Sequence, residues 1–113
     1  MSYTIPNQRR GDTWNGIDSI TLRISGVYVD LTDAIVRMQF RETVDSPVAL
    51  TLSTENSAIT ITEPLSGTVR VEPIYVVDIP FGRYFWDYQI TYPNGVTKTY
   101  MDGTWTITSD ITI

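Results

Sequence analysis

The sequence contains no cysteine and no histidine. The first absence removes disulfides and leaves the redox compartment unread. The second removes the commonest general base and the commonest zinc ligand. Positive charge is also scarce, with eight Lys and Arg against thirteen Asp and Glu, a net charge of −5 and a pI near 4.4. The basic residues are scattered, and Arg9-Arg10 is their one adjacent pair. Such a surface repels a phosphate backbone, so nucleic-acid binding is disfavoured. No apolar run approaches the ~20 residues that a membrane-spanning helix needs. The opening "MSYTIPNQRRGD" has no apolar h-region, so no signal peptide and no membrane partner are expected. On this reading the chain stays in the cytoplasm or reaches the outside as part of an assembly.

What is abundant is β-branched. Thr, Ile and Val supply 17, 13 and 10 of the 113 residues, and Tyr adds 7. These side chains suit a pleated, half-buried surface better than a helix. The length fits one modest core, and no linker, low-complexity tract or internal repeat divides it, so residues 1–113 read as one domain.

Short alternating runs recur between turn residues. "SITLRIS" places Ile20, Leu22 and Ile24 on one face, and "AIVRMQFRE" places Val36, Met38 and Phe40 inward. "VALTLS", "AITIT", "GTVRVE", "RYFWDYQITY", "GVTKTY" and "TWTIT" bring the count to eight strands. Pro47, Pro64, Pro73 and Pro80 sit at the ends of runs, where a missing N–H costs no ladder bond. Asn94-Gly95 is a hairpin signal because both residues tolerate positive φ. Gly103, inside the last apolar pattern, reads as a bulge or bend. No window of a dozen residues keeps a helical period. Antiparallel strands without helices bury their apolar faces by packing sheet on sheet, which predicts an all-β sandwich.

The candidate chemistry is thin. Asp30 and Asp33 bracket "DLTD", and Asp12 and Asp18 flank "TWNGI". A hydrolytic pair needs two carboxyls in one cleft, whereas loop aspartates ordinarily make turns and caps. No EF-hand run, P-loop, dinucleotide fingerprint or nucleophile elbow occurs. No catalytic residue, metal, cofactor or small-molecule substrate is expected. The triplet Arg10-Gly11-Asp12 matches an adhesion motif of only three letters and is explained by a turn before a strand.

The aromatic-rich stretch "GRYFWDYQI", Gly82 to Ile90, separates by strand period. Tyr84, Trp86, Tyr88 and Ile90 share one face, and Phe85, Asp87 and Gln89 share the other. Tyr84 follows the turn in "DIPFG" and matches the tyrosine corner of immunoglobulin-like sandwiches, with its hydroxyl expected to bond backbone near Val77 to Ile79. Tyr84, Trp86 and Trp105 are therefore assigned to the core. Asp87 is expected to pair with Arg37 or Arg41 if that strand is adjacent. Phe85 on the outer face, Tyr100 and Trp14 are the candidate partner contacts, and Tyr28 is equally hard to phase. A carbohydrate-binding or adhesion module is the alternative, and it requires an exposed ring cluster beside acidic loop residues.

The ordered combination "GDTW", "VDLTDAIVRMQFR", "LTLST", "ITI", "GTVRV", "PFGRYFWDYQI" and "GVTKTYMDGTWTITSDIT" resembles small phage and prophage domains of the baseplate-upper-protein N-terminal type. The resemblance spans nearly the whole chain and is carried by the order of the pieces. It implies an immunoglobulin-like antiparallel β-sandwich serving as a structural or attachment module of a tail, baseplate or fibre. It further implies other phage structural proteins as partners, homo-oligomers, no enzyme activity, and residence in the virion or, during assembly, in the host bacterial cytoplasm. Larger members continue into receptor-binding domains, for which this sequence has no counterpart segment.

Overall fold

A computed structural model describes residues 4–109, which form ten β-strands and no α-helix. In chain order these are β1 (Gln8–Arg9), β2 (Ile17–Thr21), β3 (Arg23–Ile24), β4 (Val27–Tyr28) and β5 (Ile35–Arg41). They continue as β6 (Leu50–Ser53), β7 (Ile59–Glu63), β8 (Thr68–Val71), β9 (Gly82–Thr91) and β10 (Thr97–Thr108). A five-stranded sheet runs β1-β10-β9-β5-β6, a three-stranded sheet runs β2-β8-β7, and β3-β4 form a separate hairpin. All pairings are antiparallel except β1 with β10, so the large sheet is mixed.

The sequence pattern predicts about eight strands, and the difference has two sources. Two-residue strands are too short to show a period, which hides β1, β3 and β4. The runs "GVTKTY" and "TWTIT" fuse into the single twelve-residue β10. The bulge lies at Tyr100, between Thr99 and Met101, while Gly103 pairs regularly with Trp86. In the β9–β10 turn only Gly95 takes a positive φ, of 88°, and the Asn94 side chain instead accepts the Val96 N–H at 3.0 Å. "SITLRIS" breaks after Thr21, so Ile20 and Leu22 are buried while Ile24, on the hairpin, is exposed. Val48 falls before β6 and is exposed, because the chain enters the sheet only at Leu50.

Both sheets contribute to one core. Val36, Met38 and Phe40 of β5, Tyr84, Trp86 and Tyr88 of β9 and Trp105 of β10 meet Ile17, Ile20, Ile59, Val69 and Val71 of the smaller sheet. The Trp105 ring lies 4.9 Å from that of Trp14 and 5.3 Å from that of Phe40, and its indole N–H donates to the Pro6 carbonyl at 3.2 Å. This corrects the expectation that Trp14 is an exposed contact: it is 7% exposed. Two reciprocal backbone bonds of 2.8 Å to Ile74 hold the segment before β2 against the core and turn the ring inward.

The Tyr84 hydroxyl donates to the carbonyl of Pro80 at 2.6 Å, one residue beyond the stretch expected from sequence. The ring is fully buried, and the bond ties the loop before β9 to the start of the strand. Tyr84→Phe keeps the ring and deletes the bond, so it should cost about 1 kcal/mol. With an m-value of ~2 kcal/mol/M, the urea midpoint should fall by roughly 0.5 M. An unchanged midpoint would show that solvent replaces the bond at no cost.

Candidate functional site

The outer face of the five-stranded sheet is the better-built surface. Alternation along β9 turns Arg83, Phe85, Asp87 and Gln89 away from the core. Register then places Arg41 of β5 opposite Phe85, Gln39 opposite Asp87, and Asp102 of β10 opposite Asp87 on its other side. Phe85 is 46% exposed, with the Arg83 guanidinium 5.5 Å from its ring centre. Phe85, Asp87, Gln39, Arg41 and Asp102, together with Val44 of the β5–β6 loop, border a recess of about 710 Å³.

Asp87 sits on the floor of this recess. Its Oδ1 is buried, and no group among the described residues donates a hydrogen bond to it. Burial raises its pKa from the ordinary 3.8; the Arg41 charge opposes the shift and the Asp102 carboxylate adds to it. The expected pairing with Arg37 does not form, since Arg37 bonds Glu55 at 3.0 Å, and Arg41 acts on Asp87 only through its charge. A raised pKa means that the folded chain holds this proton more tightly than the unfolded one. The associated stability is present below the unfolded value of 3.8 and is lost as pH rises through the folded pKa. Asp87→Asn should therefore be more stable than the wild type at pH 7, with the advantage closing as pH falls below about 4. Urea unfolding across a pH series measures this, and a destabilised variant at pH 7 would refute it.

A second recess, of about 660 Å³, lies between the β3–β4 hairpin and the β9–β10 turn. Tyr28, Tyr92 and Tyr100 contribute rings to it, and the Tyr92 and Tyr100 hydroxyls bond at 2.5 Å. Burial, followed by this bond, pushes the Tyr92 pKa up to about 12. Asp30 stands at the edge, its Oδ1 accepting the Thr32 hydroxyl at 2.6 Å and the Thr32 N–H at 2.9 Å. These bonds lower its pKa, so it remains ionised. Tyr28 is 49% exposed, with Arg23 5.0 Å from its ring centre.

Of the sequence-derived contacts, Phe85 thus lines the first recess, Tyr100 the second, and Trp14 neither. Of the aspartates weighed for catalysis, only Asp30 reaches either recess. No three or more acidic residues converge on a metal-sized site among the described residues. Arg10 of the adhesion-like triplet is engaged locally, donating to the Ile79 and Asp78 carbonyls at 3.2 Å. No helix among the described residues is long and apolar enough to cross a membrane.

Sequence reasoning missed Asp102 and Arg83. Arg83 was legible, being two residues from Phe85 on the same strand. Asp102 was not: continuing the register of Thr97 with Thr91 would set it opposite Trp86, and only the bulge at Tyr100 brings it opposite Asp87. No protein-family model matches this chain, and no curated protein matches it.

Proposed function

We propose that this chain is a non-enzymatic, immunoglobulin-like β-sandwich module that works through protein–protein contacts in a phage tail, baseplate or fibre. The observation carrying this reading is Phe85, a half-exposed ring set in a recess on the outer face of the central sheet. Burying an aromatic ring is among the larger single contributions to a protein–protein contact. The Tyr84 corner bond and the two sheets over a common core support the immunoglobulin-like architecture. The ordered resemblance along the sequence supports the phage setting. The test is incorporation. Phage particles purified from an expressing host should carry the wild-type chain, and Phe85→Glu should reduce its incorporation at least several-fold with an unchanged melting temperature. Particles lacking the wild-type chain would overturn the phage assignment.

A carbohydrate-binding module is the second reading, favoured by the three tyrosines beside the ionised Asp30. Aromatic faces stack on sugar C–H groups while carboxylates bond hydroxyls. A glycan array on which Tyr28→Ala abolishes a wild-type signal supports this reading; an array blank for the wild type removes it.

A further inference from the structure

We propose that Asn15 is a self-modifying position, whose side chain cyclises onto the Gly16 nitrogen and converts to aspartyl and isoaspartyl forms in the folded chain. Two Asn-Gly pairs occur, Asn15-Gly16 and Asn94-Gly95, and local sequence makes them equivalent. Asparagine is chemically labile, most of all before glycine, which has no Cβ to hinder approach of its own nitrogen. That nitrogen attacks the asparagine Cγ. A ring C–N bond forms, the amide C–N bond breaks, and the amide nitrogen departs as ammonia with the proton from glycine. Water then opens the cyclic imide at one of its carbonyls. One opening gives aspartate; the other gives isoaspartate, in which the main chain runs through the former side chain.

The fold separates the two pairs. At Asn94 both reacting groups are held: Oδ1 accepts the Val96 N–H at 3.0 Å, and the Gly95 N–H donates to the Tyr92 carbonyl at 2.8 Å. Asn56, which precedes the small Ser57, is held as well. Its Oδ1 accepts the Ser53 and Ala58 N–H groups at 3.0 and 3.1 Å, and its Nδ2 donates to the Thr51 carbonyl at 2.9 Å. Asn15 is exposed, and neither its side chain nor the Gly16 N–H has a hydrogen-bond partner among the described residues. The pair also lies between two anchors. Trp14 is bound in both directions to the Ile74 backbone, with its ring against Trp105. Gly16 packs so tightly that a Cβ there would fall 2.1 Å from the Val71 carbonyl oxygen. Isoaspartate inserts one more main-chain carbon between these anchors and displaces one of them, so chemistry at an exposed residue reaches the core. This chemistry needs no partner and is independent of the contact surfaces above.

Peptide mapping by mass spectrometry tests the assignment on the full chain, incubated at mildly alkaline pH and physiological temperature. The folded chain should gain a mass unit at Asn15 roughly tenfold faster than at Asn94, a factor that two ordinary hydrogen bonds add to a barrier. In urea strong enough to unfold the chain, the two sites should convert within a few fold of each other. The isoaspartyl chain, separated by chromatography, should melt about 4 °C or more below the wild type. Asn15→Asp adds the charge without the extra main-chain carbon and should melt with the wild type. Conversion of Asn94 as fast as Asn15 in the folded chain overturns the proposal. So does an Asn15 that converts in urea but stays intact when folded. An isoaspartyl chain that melts with the wild type overturns the coupling to the core.

Discussion

Trp105→Ala should lower the melting temperature by roughly 12 to 20 °C, which makes Trp105 the most consequential side chain in the core. Its ring is fully buried, touches Trp14 and Phe40, and donates from its indole to Pro6, bringing β10, β5 and the segments before β1 and β2 together. Truncating a buried Trp costs about 3–5 kcal/mol, because packing is lost and a cavity remains. At this chain length each kcal/mol shifts the midpoint by roughly 4 °C or more. Differential scanning calorimetry measures the change. A shift below about 5 °C would mean that the surrounding rings collapse into the space, contrary to the close packing of interiors. Phe85→Ala, on the outer face, should by contrast stay within about 0.5 kcal/mol of the wild type for the monomer.

Gly16→Ala should be nearly as damaging for a different reason. Gly16 has φ +76°, and a Cβ at this position falls 2.1 Å from the Val71 carbonyl oxygen. The left-handed conformation alone costs an L-residue about 1–2 kcal/mol. The clash is with backbone, where no side chain can swing aside, so the β2–β8 pairing at Ile17 and Val71 must open. The combined loss should be on the order of 3–4 kcal/mol. Gly95 supplies the control, because its φ is +88° but an added Cβ meets nothing within 4 Å. Gly95→Ala should cost only the conformational part, about 1 kcal/mol. Equal losses at the two positions would show that the β2–β8 contact adjusts freely.

The phase of each strand was legible wherever the strand was long enough to repeat. β5 and β9 alternate over seven and ten residues, and Phe40, Tyr84, Trp86 and Tyr88 lie inside as period two requires. The tyrosine corner was legible to within one residue because a proline-containing turn fixes where β9 begins. Trp14 was not legible. It belongs to no run, and its burial comes from a two-bond bridge to Ile74, sixty residues away in the chain. Tyr92 and Tyr100 could not be paired from sequence either, since the bulge that carries Tyr100 depends on how β10 settles against β9.

The sequence by itself determined an all-β chain with a particular inward set of residues, since side-chain branching and period-two burial are properties of each segment alone. Tertiary structure decided which outward residues became neighbours. Arg83, Phe85 and Asp87 already share a face of one strand, but Asp102 joins them only through a one-residue bulge that reverses the faces of β10. A strand exchanges its two faces with every single-residue shift, so pairing register, which local sequence leaves open, is what turned an ordinary outer face into a surface with charge, recess and ring in one place.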